Sequence, residues 1–104
     1  MKKIAVIDIG SNSVRLMMMA DGKVLYKTLE TTRLGEGIAS SSLLKREAVE
    51  RTAAAVAAFY ARANAEGAAS VYAFATAAVR SAENGREFVA RVRELCPLDV
   101  EVIS

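Results

Sequence analysis

The sequence contains no histidine, and of all its shortages this one excludes the most chemistry. Without an imidazole, neither Ser-His-Asp nor Cys-His catalysis can be assembled within the chain, and histidine-ligated metal centres are excluded too. A single cysteine, Cys96, leaves no partner for a disulfide and no thiolate cluster for zinc, so a reducing cytosol is the expected compartment. No neighbouring residue would lower the Cys96 pKa, and beside Pro97 it reads as a buried helix-end residue, not a nucleophile. The charge excess is only +2, too little for the basic face that a nucleic-acid binder concentrates. Long apolar runs are missing as well. The run after Lys2 and Lys3 stops at Asp8 without a cleavage site, and Ala53 to Ala61 is too short to cross a bilayer before Arg62 closes it. The expectation is a cytoplasmic protein with neither nucleic acid nor membrane as partner.

What the sequence does contain is the material of one modest core: 104 residues, 53% of them hydrophobic and 25% charged. Lys3 to Ile9 is a compact β-branched run ending at Gly10, as a buried central strand should look. Gly10 to Ser13 is turn chemistry, Val14 to Ala20 is a second apolar run, and Asp21-Gly22 is a hairpin signal. Lys23 to Thr32 alternates Val24, Tyr26 and Leu29 with polar residues, which predicts a third strand with one wet face. After a glycine- and serine-rich loop, Val49, Val56, Phe59 and Ala63 form a helical stripe. The spacing predicts a helix over Lys45 to Ala65, stopped by Gly67. Ser70 to Ala75 reads as a strand. Asn84 to Glu87 resembles a capping box, opening a helix with Phe88, Val92 and Leu95 on its apolar side, and Pro97 ends it. Leu98 to Ile103 completes the order β-β-β-α-β-α-β. Crossover helices of this length predict an α/β fold of ribonuclease-H-like topology. Its mixed five-stranded sheet has three antiparallel strands followed by two parallel to the first.

Chemistry concentrates in two places. Asp8 stands at the carboxyl end of the first strand, beside a turn of Gly10, Ser11, Asn12 and Ser13 whose amides and hydroxyls can converge on an anion. A carboxylate there can hold hydrated magnesium against the same phosphate. The same residues also suit a hairpin turn in which Ser and Asn satisfy only their own backbone. Thr76 and Arg80 follow the fourth strand, where open α/β sheets bind ligands, and offer a hydroxyl and a planar fork to phosphate oxygens. Both motifs are therefore expected to face one crevice. Thr76 as a helix-start residue and Arg80 as a solvated cation fit the spacing equally well. Arg15 and Arg33 are weaker candidates, expected at outward-facing strand positions. Met17 to Met19 reads as core filler and partner surface. Glu87 and Glu94 read as helix-surface charges.

The run Ile7-Asp8-Ile9-Gly10-Ser11-Asn12-Ser13-Val14-Arg15-Leu16 resembles the opening phosphate motif of the exopolyphosphatase and guanosine-pentaphosphate phosphohydrolase family. Ala75 to Asn84 resembles its second signature, with Thr76, Arg80 and Asn84 in the expected places, and Glu101 to Ser104 resembles the lead-in to its third. The resemblance covers essentially the whole chain.

It implies that residues 1–104 form the amino-terminal lobe of a two-lobed fold of the actin and sugar-kinase superfamily. The implied activity is hydrolysis of acid anhydrides, releasing terminal phosphate from inorganic polyphosphate or guanosine pentaphosphate with magnesium. Gly10, Ser11, Asn12, Ser13, Arg15, Thr76 and Arg80 would bind phosphate, and Asp8 would approach the metal. The family's catalytic glutamate follows the Ile-Ser pair, beyond Ser104, so no catalytic residue is expected among these 104 and the chain alone should be inactive. A homodimeric full-length protein is a further expectation. An acetate or sugar kinase of the same superfamily, or a non-catalytic actin-like nucleotide-binding module, are the competing expectations.

Overall fold

Alternation along the first run decides which way every later element faces. In the computed structural model, which describes residues 2–103 except the side chain of Ala39, strand β1 (Lys3–Ile9) buries Ala5, Ile7 and Ile9 on one face. Ile4, Val6 and Asp8 take the other face. Strand β2 (Ser13–Ala20) pairs antiparallel with β1, and β3 (Lys23–Thr31) pairs antiparallel with β2. Asp21 and Gly22 both have positive φ, 53° and 77°, the geometry of a two-residue primed hairpin turn. Helix α1 (Ile38–Ser41) is a single turn, and α2 (Arg46–Ala65) crosses back to β4 (Ala68–Ala75). Helix α3 (Ala77–Ser81) and helix α4 (Gly85–Leu95) lead to β5 (Val100–Val102). The sheet order is β3-β2-β1-β4-β5, with β4 and β5 parallel to β1. The expected topology is present, with α1 and α3 as additional short helices.

Helices α2 and α4 cover one face. Val49, Ala53, Val56, Phe59 and Ala63 from α2, with Phe88 and Val92 from α4, meet Ile7, Leu16 and Met18 in a single core. Burying such side chains contributes about 1.5–3 kcal/mol each. The opposite face carries Val6, Asp8, Arg15, Met17, Leu29 and Phe74, and no described helix lies over it. In the run Met17 to Met19, Met18 is core, while Met17 and Met19 are half-buried on the uncovered face. No described helix is long and apolar enough to cross a membrane.

Four local expectations need correction. A bulge opposite Met18 and Met19 breaks the alternation of β3. Val24 and Leu29 consequently stay exposed, and Tyr26 turns to the helix layer. There its hydroxyl bonds a Glu66 carboxylate oxygen, and the Arg62 guanidinium lies 4.9 Å from its ring centre. Leu95 is 40% exposed because the next position, Cys96, takes the buried place at the end of α4. The last strand is three residues long, since Leu98 N–H donates to the Cys96 carbonyl in a tight turn before pairing begins. The capping box is absent: Asn84 makes no cap bond to α4. Its side chain brackets Leu44 instead, accepting from the Leu44 N–H at 2.8 Å and donating to its carbonyl at 3.1 Å.

Candidate functional site

The carboxyl ends of β1, β3, β4 and β5 and the start of β2 all lie at one end of the sheet. There the Gly10–Ser13 turn is closed by a Gly10 N–H to Ser13 carbonyl bond of 3.0 Å. A second loop, residues 32–37, braces it. The Asn12 carbonyl accepts from Thr32 N–H at 3.1 Å and Arg33 N–H at 2.9 Å, and the Ser11 carbonyl accepts from Gly35 N–H at 2.9 Å. Glycine eases this close approach, because a Cβ at Gly35 would lie 3.1 Å from the Ser11 Cβ, a tight contact that would make Ser11 give by a few tenths of an ångström. In a planar trans peptide the N–H points opposite to the C=O. Tying both carbonyls to the brace therefore aims the Asn12 and Ser13 N–H groups away from it. A turn with these oxygens occupied leaves amides of the kind that can accept an anion. Ser11 and Asn12 are exposed and Ser13 is half-buried.

Asp8 is half-buried on the uncovered face, in a groove of about 470 Å³ lined also by Arg15, Lys27, Met17 and Phe74. Arg15 lies directly across from it in the β1–β2 register, exposed as expected, without forming an ion pair to it. No cluster of three or more potential ligands exists among the described residues. One carboxylate beside the Gly10–Ser13 turn fits magnesium, which keeps several waters, but would not suit a calcium or zinc site.

Ile9 and Ala75 are register partners, so Gly10 and Thr76 leave the sheet side by side. Thr76 is half-buried and makes no side-chain cap bond to α3. Arg80 goes elsewhere. Its Nη1 donates to the Ile103 carbonyl at 3.0 Å, and it lines a separate crevice with Glu83, Val89 and Val102 on the helix side. No described cavity is lined by both Asp8 and Arg80, so the expected single crevice does not join them; the β1–β4 register only brings Gly10 and Thr76 out of the sheet side by side. The cause is β5: Ile103 N–H pairs with the Ala75 carbonyl, which brings the Ile103 carbonyl within reach of Arg80.

Arg33 was expected to face outward from a strand. It lies instead in the bracing loop, with φ of 53°, and shares a crevice of about 360 Å³ with Ser11, Asn12, Gly35, Glu36 and Ile38. The glycines at 35 and 37 were the only sequence sign that this segment folds tightly. Ser104, last residue of the lead-in to the third signature, lies outside the described residues. Burial raises the Cys96 thiol pKa, consistent with an inert core residue.

The model of the Ppx/GppA phosphatase family matches residues 17–104. The chain belongs to this family. It is 39% identical over 109 residues to an uncharacterized protein of Streptomyces coelicolor, covering 96% of this chain and 32% of that protein. With exopolyphosphatase 1 of Mycobacterium tuberculosis it shares 29% identity over 106 residues, covering 97% of this chain and 31% of that one. The crystal structure of the Aquifex aeolicus Ppx/GppA family member superposes with a TM-score of 0.90 at 34% identity, over 98% of this chain and 35% of that one. The chain thus spans about a third of the length of these relatives, and its mixed sheet with helices has the ribonuclease-H-like fold of the actin and sugar-kinase superfamily.

Proposed function

We propose that this lobe holds the phosphoryl groups of a linear phosphoanhydride, inorganic polyphosphate or guanosine pentaphosphate, for hydrolytic release of the terminal phosphate. The observation that carries the reading is the backbone of the Gly10–Ser13 turn, whose carbonyls are engaged by residues 32–35 while its amides point away. Family membership and the likeness to exopolyphosphatase 1 of Mycobacterium tuberculosis support the hydrolytic direction. Gly10 to Ser13 bind the phosphate through amides and hydroxyls. Thr76, beside Gly10, adds a hydroxyl, and Arg15 adds a cation from the neighbouring strand. Arg80 contributes once it exchanges the Ile103 carbonyl for a phosphate oxygen. Asp8 would hold magnesium through water and phosphate oxygens, and the ion would supply charge neutralisation at the transferred group.

The 104-residue chain by itself binds without turnover. The carboxylates lining the cavities around the turn are Asp8 and Glu36, and Glu36 is already paired with Arg51 at 3.3 Å. Losing a general base costs about a hundredfold to ten-thousandfold in rate. Amide NMR titration with orthophosphate and with tripolyphosphate, in magnesium, tests the binding. The largest shifts are expected at Asn12 and Ser13, and unmoved turn amides at saturating ligand would refute the site. Phosphate release from long-chain polyphosphate at a rate within tenfold of an intact exopolyphosphatase would refute the inactivity.

A further inference from the structure

The uncovered face of the sheet carries more apolar surface than a solvated face needs. Val6, Met17, Leu29, Tyr72 and Phe74 stand on it, and Leu29 and Tyr72 are 53% and 57% exposed. Strands β1, β4 and β5 run parallel, and parallel strands are characteristically covered on both faces. Helices α2 and α4 cover only the other one. A contiguous exposed apolar patch marks a contact surface.

The strand register gives this face a pattern. Read from β3 to β4, Leu29, Arg15, Asp8 and Phe74 form one row, and Lys27, Met17, Val6 and Tyr72 form the next. The line between β1 and β2 divides each row in half, and each half complements the other. Arg15 answers Asp8, Leu29 answers Phe74, Met17 answers Val6, and Lys27 answers Tyr72. Asp8 and Arg15 enter no ion pair among the described residues, so both charges are open to an outside partner. A two-fold axis along that line lays a second copy face down, so that every residue meets its counterpart in the other copy. Two Arg15–Asp8 pairs then form, Met17 packs on Val6 and Leu29 on Phe74, and Lys27 lies over the Tyr72 ring as a cation on an aromatic face. The residues next to the axis are displaced least by the angle of about 30° at which twisted sheets stack.

We infer that the 104-residue chain forms a face-to-face dimer through this sheet surface. The interface is isologous, the same patch serving both copies. Four strands about 4.8 Å apart, each offering about seven residues at about 3.3 Å, give a flat footprint of about 450 Å² per copy. That is below the standard size of about 800 Å² per partner, so the dimer is weak and reversible. The inference uses the sheet face and not the Gly10–Ser13 turn, and so does not rest on the phosphate reading. Because the second copy engages Asp8 and Arg15, the dimer is the form free of magnesium and phosphate.

Sedimentation equilibrium of the 104-residue chain from micromolar to millimolar concentration, without magnesium or phosphate, tests it. Wild-type chain is expected to pass reversibly from monomer to dimer. Asp8→Arg and Arg15→Asp each set like charges opposite one another twice, and each is expected to weaken self-association at least about tenfold. Mixed in equal amounts, the two variants restore both opposite-charge pairs, so the mixture should dimerise about as strongly as wild type. Tyr72→Lys, at an exposed position remote from the core, sets two cations together and should weaken the dimer without lowering the melting temperature. This variant keeps the test decisive even if a change at Asp8 disturbs folding. A wild-type chain that stays monomeric throughout would overturn the inference, as would a dimer that none of the variants weakens. Single variants that are monomeric apart and remain monomeric when mixed would overturn the two-fold pairing.

Discussion

Asn84 offers the sharpest test of how the helical layer is tied to the site's scaffold, because two structures for the same residue predict opposite outcomes. Its side chain makes two bonds to the backbone of Leu44, forty residues away, and Leu44 is only 3% exposed. Replacement by alanine loses two hydrogen bonds at about 1 kcal/mol net each, and leaves a buried N–H without its partner at about 1–3 kcal/mol more. A loss of about 3 kcal/mol follows, and for a domain of this size about 4–8 °C of melting temperature accompanies each kcal/mol. Asn84→Asp is more discriminating. Aspartate keeps the acceptor for the Leu44 N–H but sets a carboxylate oxygen against the Leu44 carbonyl where the amide donated at 3.1 Å. If Asn84 were only the cap of α4, aspartate would serve as well or better, being favoured at that position and toward the helix dipole. The bracket predicts a destabilised variant at pH 7. Protonated, the carboxyl can donate to the Leu44 carbonyl, so its pKa is raised in the folded state. A raised folded pKa gives stability that is present below the unfolded value, about 3.9, and lost as pH rises through the folded one. The deficit of Asn84→Asp relative to wild type should therefore shrink on acidification. Urea unfolding followed by circular dichroism at pH 7 and pH 4 measures both effects. An aspartate variant as stable as wild type at pH 7 would refute the bracket.

Other substitutions read different parts of the fold. Thr52 is fully buried in α2 with its hydroxyl unpartnered, so Thr52→Val is expected to stabilise by about 1–2 kcal/mol in the same urea assay, and destabilisation would reveal a missing partner. A Cβ at Gly85 would lie 2.2 Å from the Val79 carbonyl oxygen, so Gly85→Ala must push α3 from α4 and is expected to cost about 1–3 kcal/mol. Gly67→Ala, with open space around the added Cβ and φ of 87°, shows by comparison the cost of backbone strain alone. The Glu66 carboxyl is held below its ordinary value of 4.5, first by the Tyr26 hydroxyl and then by Arg62. A lowered folded pKa contributes stability above the unfolded value that is lost as pH falls through the folded one. Tyr26→Phe should accordingly flatten the acid limb of the stability profile below pH 4.5, and an unaltered limb would count against the contact.

Most of the fold was legible because its signals are local. The β-branched alternation of Lys3 to Ile9, the Asp21-Gly22 turn, and the stripe of Val49, Val56, Phe59 and Ala63 ending before Gly67 each follow from neighbours a few residues apart. Helical crossovers then leave few topologies, and the motifs at Asp8–Ser13 and Thr76–Arg80 were placed at the correct end of the sheet. The bulge in β3 was not legible, since it depends on how β3 registers against Met18 and Met19, and it reversed the facing of Tyr26.

Sequence by itself determined the alternation, the turns, the order of strands and the type of side chain at the sheet's carboxyl end. Tertiary structure alone decided what those side chains are bonded to. Asn84 sits where a cap belongs but answers Leu44, Arg80 reaches the Ile103 carbonyl, and Arg33 is carried into the crevice beside Ser11 by bonds to Asn12. Backbone preferences are set by each residue and its nearest neighbours, whereas a long side chain takes whichever partner packing brings within about 3 Å, and that partner can be twenty or forty positions away.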